Sequence, residues 1–290
     1  MSEFLDALRT YSFLQYALVT GLLASVACGM VGTYVVTRRI TIIAGSISHC
    51  ILGGMGAARY LHVVYAWEWL HPLHGAVAAA LLAAIVIGWV SLRARQREDT
   101  VIAATWAIGM AVGVLFIART PGYGEDLMSY LFGNILLVSR ADLWLIAGLD
   151  ALVVALSLMF YNQFLAVCFD EEFARLRGVS VEFYYLLLLC LTALTVVVLV
   201  SVVGIVMALA LLTLPVAVAD HFSRRLWHMM LLATVCSMAF TTAGLAASYA
   251  PRLPAGATTI VIAGATYLAV MAAVRILRRP SGAAFGTRRQ

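Results

Sequence analysis

Apolar segments of roughly 20 residues recur along the whole chain, and this pattern restricts the fold more than any other feature. A helix needs about 20 apolar residues to cross the hydrocarbon core of a bilayer, where only helices and closed barrels satisfy their own backbone hydrogen bonds. The segments are too long for barrel strands. With 63% hydrophobic and 11% charged residues, the sequence predicts an all-α, polytopic membrane bundle and excludes soluble, disordered and disulfide-stapled classes.

The chain is expected to form one transmembrane domain over residues 1–290 with about eight or nine spans. Their approximate bounds are 13–37, 41–61, 74–92, 101–118, 142–162, 182–200, 203–219, 227–249 and 257–278. Between the fourth and fifth spans, segment 124–138 is too short to cross and too apolar to lie free in water. It predicts a short re-entrant or interfacial helix.

The basic residues give an orientation, because positive charges in short loops stay on the cytoplasmic side. All 19 are arginines, and 14 of these 19 fall on one side of the predicted spans. We therefore expect the N-terminus outside and the C-terminus in the cytoplasm. Charges distributed in this way do not form a nucleic-acid-binding surface. Since a Walker-type phosphate loop requires a lysine, any ATP hydrolysis must occur in another subunit.

The predicted second span, 41–61, is the least lipid-like. Gly45, His49, Gly53 and Gly56 recur at helical spacing and share one face. Glycines allow close helix approach, and an ionisable side chain inside a membrane is costly enough to be a functional candidate. The stripe predicts contact with protein or with a pore. His49 is either a ligand on that path or a neutral imidazole that is hydrogen-bonded between helices.

A polar segment, FDEEFARLRGV at 169–179, separates two long apolar segments. Asp170 can cap a helix, Glu171 and Glu172 suit its first turn, and Gly178 can take the left-handed conformation that ends it. These signals predict a short helix over 170–178. Its apolar face would press on the bundle or on a partner subunit, and consists of Phe169, Phe173 and Leu176. An ordinary interfacial helix is the alternative.

Two further features carry weaker signals. Pro215 lies inside an apolar segment and predicts a kink, either a hinge or a bend that neighbouring helices accommodate. The predicted outer loop contains His62, Glu68, His71 and His74, nitrogen and oxygen donors that would suit an arriving divalent cation. Anchoring of the loop at the membrane interface is the alternative.

Four segments together resemble the membrane permeases of bacterial ABC importers for zinc, manganese and iron. They are Arg38-Arg39 followed by AGSISHCILGG, then RTPGYGEDLMSYLFGNIL, then FDEEFARLRGV, and finally GIVMALALLTLPVAVA. Their order along the chain is more specific than any one of them. With the apolar pattern, the resemblance extends over nearly the whole sequence.

The resemblance implies a bacterial cytoplasmic-membrane permease that acts as a homodimer, with two ATP-binding cassette subunits and an extracytoplasmic metal-binding protein. The permease is then not itself an enzyme, and the divalent metal is its cargo rather than a permanent cofactor. The resemblance also implies that His49 binds the metal in the pathway, and that the pathway is lined by Gly45, Cys50, Gly53 and Gly56. Coupling to the ATPase falls on Asp170, Glu171, Glu172, Ala174 and Gly178.

The sequence departs from the family at Gly45, where the resemblance implies an aspartate four residues before the histidine. The helix face then has an imidazole without its carboxylate. Two copies of His49 would converge on a dimer axis with Cys50 nearby, and nitrogen and sulfur donors favour zinc over manganese, which prefers oxygen. The sequence favours zinc, with manganese or iron as alternatives.

A protein of another class would also fit an apolar chain with buried ionisable groups. A stand-alone secondary transporter or channel would use an ion gradient through His49 and Asp150, a second ionisable residue inside a predicted span. The importer interpretation requires a separate ATP-hydrolysing subunit and a metal-binding protein. The stand-alone interpretation requires neither.

Overall fold

The computed structural model describes residues 2–67, 69–93, 98–121, 140–251 and 253–277. Within these ranges the chain forms helices and connecting turns. The helices are α1 (Ser2–Thr10), α2 (Ser12–Thr37), α3 (Thr41–Tyr65), α4 (Pro72–Arg93), α5 (Glu98–Arg119), α6 (Arg140–Met159), α7 (Tyr161–Phe169), α8 (Glu171–Leu176), α9 (Val181–Val203), α10 (Ile205–Asp220), α11 (Leu226–Tyr249) and α12 (Ala255–Leu277). The helix predicted over 124–138 lies outside the described residues.

Most of these helices are long and apolar enough to cross a membrane. Seven qualify singly, namely α2, α3, α4, α5, α9, α11 and α12. The bent pair α6 and α7 makes an eighth candidate span, and α10, with 16 residues, is shorter. The prediction of an all-α, multi-pass membrane bundle is therefore confirmed.

Helix α9 lies at the centre of the bundle. It contacts α2, α3, α4, α6, α7, α8 and α10, and its apolar residues are distributed around the whole helix, as expected of a helix surrounded by others. The hydroxyls of Thr192 and Thr195 each donate to the carbonyl four residues earlier, at 2.8 Å. They therefore need no partner on another helix. By contrast, α5 and α12 expose most of their surface.

The predicted fifth span, 142–162, corresponds to α6 but extends past the end of that helix. Helix α6 ends at Met159, and the chain bends by 70° into α7, a helix that the sequence analysis did not predict. Phe164 of α7 is fully buried, with its ring 5.2 Å from that of Tyr34 and 6.3 Å from that of Tyr184. Packing of this aromatic cluster against α2 and α9 explains why the apolar segment does not continue straight.

The apolar segment 182–219 forms two helices, α9 and α10, that meet at Gly204. Its φ of 81° and ψ of 168° lie in a region that is nearly restricted to glycine. Arg177, before α9, and Arg224, after α10, line the same open cavity. Both ends of the α9–α10 pair therefore lie on one face, so the chain crosses the bundle and returns.

Pro215 lies inside α10 and is buried there. The neighbouring turn of α10 contacts α2 so closely that a Cβ on Gly32 would overlap the carbonyl oxygen of Leu212. Pro215, which has no backbone N–H to donate, therefore lies next to a tightly packed contact between α10 and α2. This environment fits a proline that neighbouring helices accommodate, and a hinge role stays a prediction.

Helices α3 and α4 cross at a pair of glycines. A Cβ on Gly54 would overlap the carbonyl oxygen of Gly75, and a Cβ on Gly75 would overlap that of Gly54. Two backbones can approach this closely only where neither residue has a side chain. The crossing fixes α4 against one side of α3, and α5 packs on an adjacent side of the same helix.

Candidate functional site

His49 lies in the middle of α3 and is half-buried. Its ring stacks on Trp106 of α5, with ring centroids 4.5 Å apart and planes inclined by 18°. The Nδ1 atom is buried and has no hydrogen-bond partner in the part of the chain that the structure describes. The alternative interpretation of His49, a neutral imidazole that is hydrogen-bonded between helices, therefore lacks such a bond at this nitrogen.

Gly45 lies one turn before His49 and faces the same indole. A Cβ at Gly45 would lie 3.4 Å from Trp106 Cζ3 and 3.7 Å from the two Cδ atoms of Leu209 in α10. These are ordinary van der Waals distances, so the backbone leaves room for a small side chain. Trp106 and Leu209 border the space that the family's carboxylate would enter.

The remaining residues of the predicted pathway lining face α5. Cys50 Sγ donates a hydrogen bond to the carbonyl of Thr105 at 3.3 Å. One turn earlier, Ser46 Oγ donates to the carbonyl of Ile102 at 3.0 Å. These bonds satisfy polar groups at a helix contact, and they turn the Cys50 thiol toward α5.

Gly53 and Gly56 continue this contact. A Cβ on Gly53 would lie 2.8 Å from the carbonyl oxygen of Gly109, and one on Gly56 would lie 3.0 Å from that of Gly113. Close approach of α3 and α5 accounts for both glycines. The structure thus places Cys50, Gly53 and Gly56 in contact with α5, and their role in lining a pathway stays a prediction.

The outer-loop histidines make local contacts. His62 Nδ1 lies 3.1 Å from the carbonyl oxygen of Trp67, and His71 Nδ1 accepts a hydrogen bond from the backbone N–H two residues later. The rings of His71 and His74 are 6.3 Å apart. Glu68 lies outside the described residues, and within them no group of three or more metal-ligating side chains occurs. These contacts fit the alternative that the histidines anchor the loop.

Asp150 is buried in α6, with 5% of its surface exposed. Its Oδ1 has no hydrogen-bond partner among the residues that the structure describes. Helix α6 packs on α2 and α9, whereas α3 makes its largest contacts with α4 and α5. The fold therefore places Asp150 and His49 in different helix contacts.

The short helix predicted over 170–178 is present as α8. Asp170 caps its N-terminus, with Oδ1 accepting a hydrogen bond from the N–H of Phe173 at 2.9 Å. Glu171 and Glu172 occupy the first turn, where the helix dipole favours negative charge. Local sequence signals alone account for where this helix begins.

The C-terminus of α8 closes in a Schellman motif. Gly178 has a φ of 76°, its N–H donates to the carbonyl of Arg175 at 3.0 Å, and the N–H of Val179 donates to that of Ala174 at 3.0 Å. Ala174 is fully buried and holds the helix on the bundle. The outward side of α8 is exposed at Phe173 (48%) and Leu176 (87%), and Phe169 (67%), the last residue of α7, is exposed next to it.

Residues 10–274 match the ABC 3 transport family. The chain belongs to this family, and the resemblance drawn from the four sequence segments is confirmed. The match extends over nearly every element described above, from the end of α1 to the end of α12.

Individual relatives agree with this assignment. The chain is 40% identical over 244 residues to a probable metal transport system membrane protein of Chlamydia trachomatis, with 84% of this chain and 83% of the relative covered. It is 32% identical over 267 residues to the manganese transport system membrane protein MntC of Halalkalibacterium halodurans, with coverages of 92% and 89%. The solved structure of PsaBC from Streptococcus pneumoniae in complex with Fab superposes with a TM-score of 0.82 at 30% identity, and covers 93% of this chain and 95% of that one.

Proposed function

We propose that this chain is the permease subunit of an ATP-driven importer that carries a divalent transition-metal ion across the bacterial cytoplasmic membrane. The family match over residues 10–274 carries the proposal. The metal and manganese transport names of the relatives support the class of cargo. Because the sequence contains no lysine for a Walker-type loop, ATP hydrolysis belongs to a separate subunit.

The proposed partners are two ATP-binding subunits, an extracytoplasmic metal-binding protein and a second copy of the permease. The exposed apolar face of α8 supports docking of the ATPase, because it leaves aromatic and aliphatic side chains uncovered beside charged residues. A second copy is supported by the site itself. One imidazole is too few donors for a divalent ion, and within the described residues no group of three or more ligating side chains includes His49.

His49 is proposed as the metal ligand of the pathway, because its buried Nδ1 has no hydrogen-bond partner among the described residues. An imidazole nitrogen suits zinc, which was the preference drawn from the sequence. Cys50 adds no support for zinc, because its thiol is hydrogen-bonded to Thr105. Manganese is the second candidate cargo, favoured by the names of the relatives.

The proposed orientation has the N-terminus outside and the C-terminus in the cytoplasm. Support comes from one face of the bundle, where Arg38 contacts Glu171 and where Arg177 and Arg224 line one cavity. These residues belong to three segments that the arginine distribution assigns to the cytoplasm. The same face presents α8, where the ATPase would dock.

Import by the complete system tests the proposed function. The permease would be purified with its own ATPase and binding protein and reconstituted in vesicles, and zinc, manganese and iron would each be measured inside. ATP-dependent accumulation that requires the binding protein is expected. Accumulation that persists without ATP and follows a proton or sodium gradient would establish the stand-alone transporter instead.

Replacing Gly45 by aspartate should change the ion preference. The new carboxylate would lie on the His49 face of α3, and an oxygen donor favours manganese relative to zinc. The manganese-to-zinc import ratio should rise by about tenfold, which corresponds to about 1.4 kcal/mol. Gly45→Asn, similar in size but uncharged, should change it less. An unchanged ratio in Gly45→Asp would show that this face does not contact the ion.

Replacing Gly178 by valine should weaken assembly with the ATPase. A β-branched residue at positive φ is strained by about 1–2 kcal/mol, so the C-terminus of α8 must rearrange. We expect less ATPase to co-purify with the permease, whereas Gly178→Asn, which tolerates the left-handed region, should retain it. If the ATPase co-purified equally with the unmodified permease, Gly178→Val and Gly178→Asn, α8 would not be part of the docking surface.

A further inference from the structure

Helix α8 has few contacts with the rest of the bundle. It packs on α7 and α9, and Glu171 in its first turn forms an ion pair with Arg38 at the end of α2. The two side chains are 26% and 38% exposed, so the pair is partly shielded from water. It joins α8 to a part of the chain that is more than a hundred residues away in sequence.

Arg38 occupies the turn that starts α3. Arg39 has a φ of 61°, an uncommon value for a residue with a side chain. The N–H of Arg39 donates to the carbonyl of Val36 and that of Ile40 to the carbonyl of Val35, at 3.1 and 3.0 Å. This Schellman motif closes α2 and leads directly into α3 at Thr41. A displacement of Arg38 is therefore passed to the start of the helix that bears His49.

The same guanidinium continues a polar chain into the bundle. It lies over the ring of Tyr185 in α9, 5.6 Å from the centroid, within the range of a cation–π contact. The Tyr185 hydroxyl lies 3.1 Å from Ser91 Oγ of α4, and Ser91 donates to Glu98 Oε1 at 2.6 Å. Because the one hydroxyl proton of Ser91 goes to Glu98, Tyr185 donates to Ser91.

Glu98 is the first residue of α5. The polar chain thus starts on α8 and reaches the beginnings of both α3 and α5. These two helices are held together along their length by the Ser46 and Cys50 hydrogen bonds and by the glycine contacts described above. Between them lies the stacked pair of His49 and Trp106.

We propose that Arg38 is a positioning residue that transmits a displacement of α8 to the α3–α5 pair, and so couples ATP hydrolysis to movement of the metal. This inference rests on the proposed function. Arg38 contacts neither the ion nor ATP. Its role is to determine how far α3 and α5, which enclose His49, move when the ATPase displaces α8.

The test measures the number of ATP molecules hydrolysed per metal ion imported, in vesicles that contain permease, ATPase and binding protein. In Arg38→Gln the ion pair is lost, so we expect normal co-purification of the ATPase but an ATP-to-metal ratio raised by about fivefold or more, the usual lower range for coupling between two sites. The charge swap Arg38→Glu with Glu171→Arg should bring the ratio back toward that of the unmodified protein.

Arg93→Gln is the matched control. Arg93, at the end of α4, also stacks on an aromatic ring, that of Trp89 at 5.1 Å, but lies outside the polar chain. The ATP-to-metal ratio of Arg93→Gln should equal that of the unmodified protein. A normal ratio in Arg38→Gln, or loss of bound ATPase in that variant, would overturn the proposal. Should Arg38→Gln fail to fold, Tyr185→Phe, which removes the hydroxyl that binds Ser91, interrupts the same polar chain and gives the same test. Absence of import by the unmodified complex would instead refute the proposed function.

Discussion

Replacing His49 with alanine should lower metal import by the reconstituted importer by at least about 100-fold. Loss of a residue that merely supports a metal ligand typically costs about 10- to 100-fold in affinity, and here the ligand itself would be removed. In the described part of the chain His49 belongs to no group of three or more ligating side chains that could hold the ion without it. Uptake of zinc and manganese, measured with equal amounts of inserted protein, checks the prediction.

A second substitution separates metal binding from packing. His49→Phe keeps an aromatic ring against Trp106, whose indole now stacks on the imidazole at 4.5 Å, but removes the nitrogen atoms. It should be as stable as the unmodified protein and as inactive as His49→Ala. His228→Ala, on the exposed start of α11, serves as a control for loss of a histidine elsewhere. Normal import by His49→Phe would exclude nitrogen coordination at this position.

Replacing Gly54 with alanine should produce the largest loss of stability. The added Cβ would overlap the carbonyl oxygen of Gly75, a backbone atom that cannot rotate away. Overpacking of this kind costs about 1–3 kcal/mol or more, because α3 and α4 must separate. The apparent melting temperature of the purified protein in detergent should fall, together with the amount recovered from membranes.

Gly148→Ala provides the matched control for this substitution. Gly148 lies inside α6, and a Cβ there would meet no atom within 4 Å. Alanine is favoured over glycine within a helix by about 1 kcal/mol, so this variant should melt at an equal or higher temperature. If Gly54→Ala and Gly148→Ala behaved alike, the α3–α4 crossing would not be as close as described.

Local sequence signals predicted those features that depend on neighbouring residues. The spans follow from segment length and hydropathy, both of which are properties of contiguous sequence. The caps of α8 follow from Asp170 and Gly178, each of which acts within one turn. The family resemblance followed from short segments in a fixed order, and did not depend on knowing which helices touch.

Features set by contacts between distant segments were not predicted. Nothing in the sequence around Trp106 indicates that its indole stacks on His49, because both lie in apolar segments that could face any neighbour. For the same reason the sequence leaves open whether the glycine stripe of α3 meets protein or a pore, and only the structure shows that Gly53 and Gly56 face the backbone of α5. The bend at Phe160 likewise depends on an aromatic cluster contributed by three helices.

The length of α10 has a consequence for how the protein fits its bilayer. Its 16 residues extend about 24 Å, less than a hydrocarbon thickness of about 30 Å. A helix of this length that starts at one membrane surface ends about 6 Å short of the other. At the reversal before α10, the N–H of Gly204 donates to Val200 and its carbonyl accepts from Ala208, at 3.2 and 3.0 Å. Both amide groups of Gly204 are thus paired within the helices on either side of it, so this residue adds no unpaired backbone group of its own to the reversal.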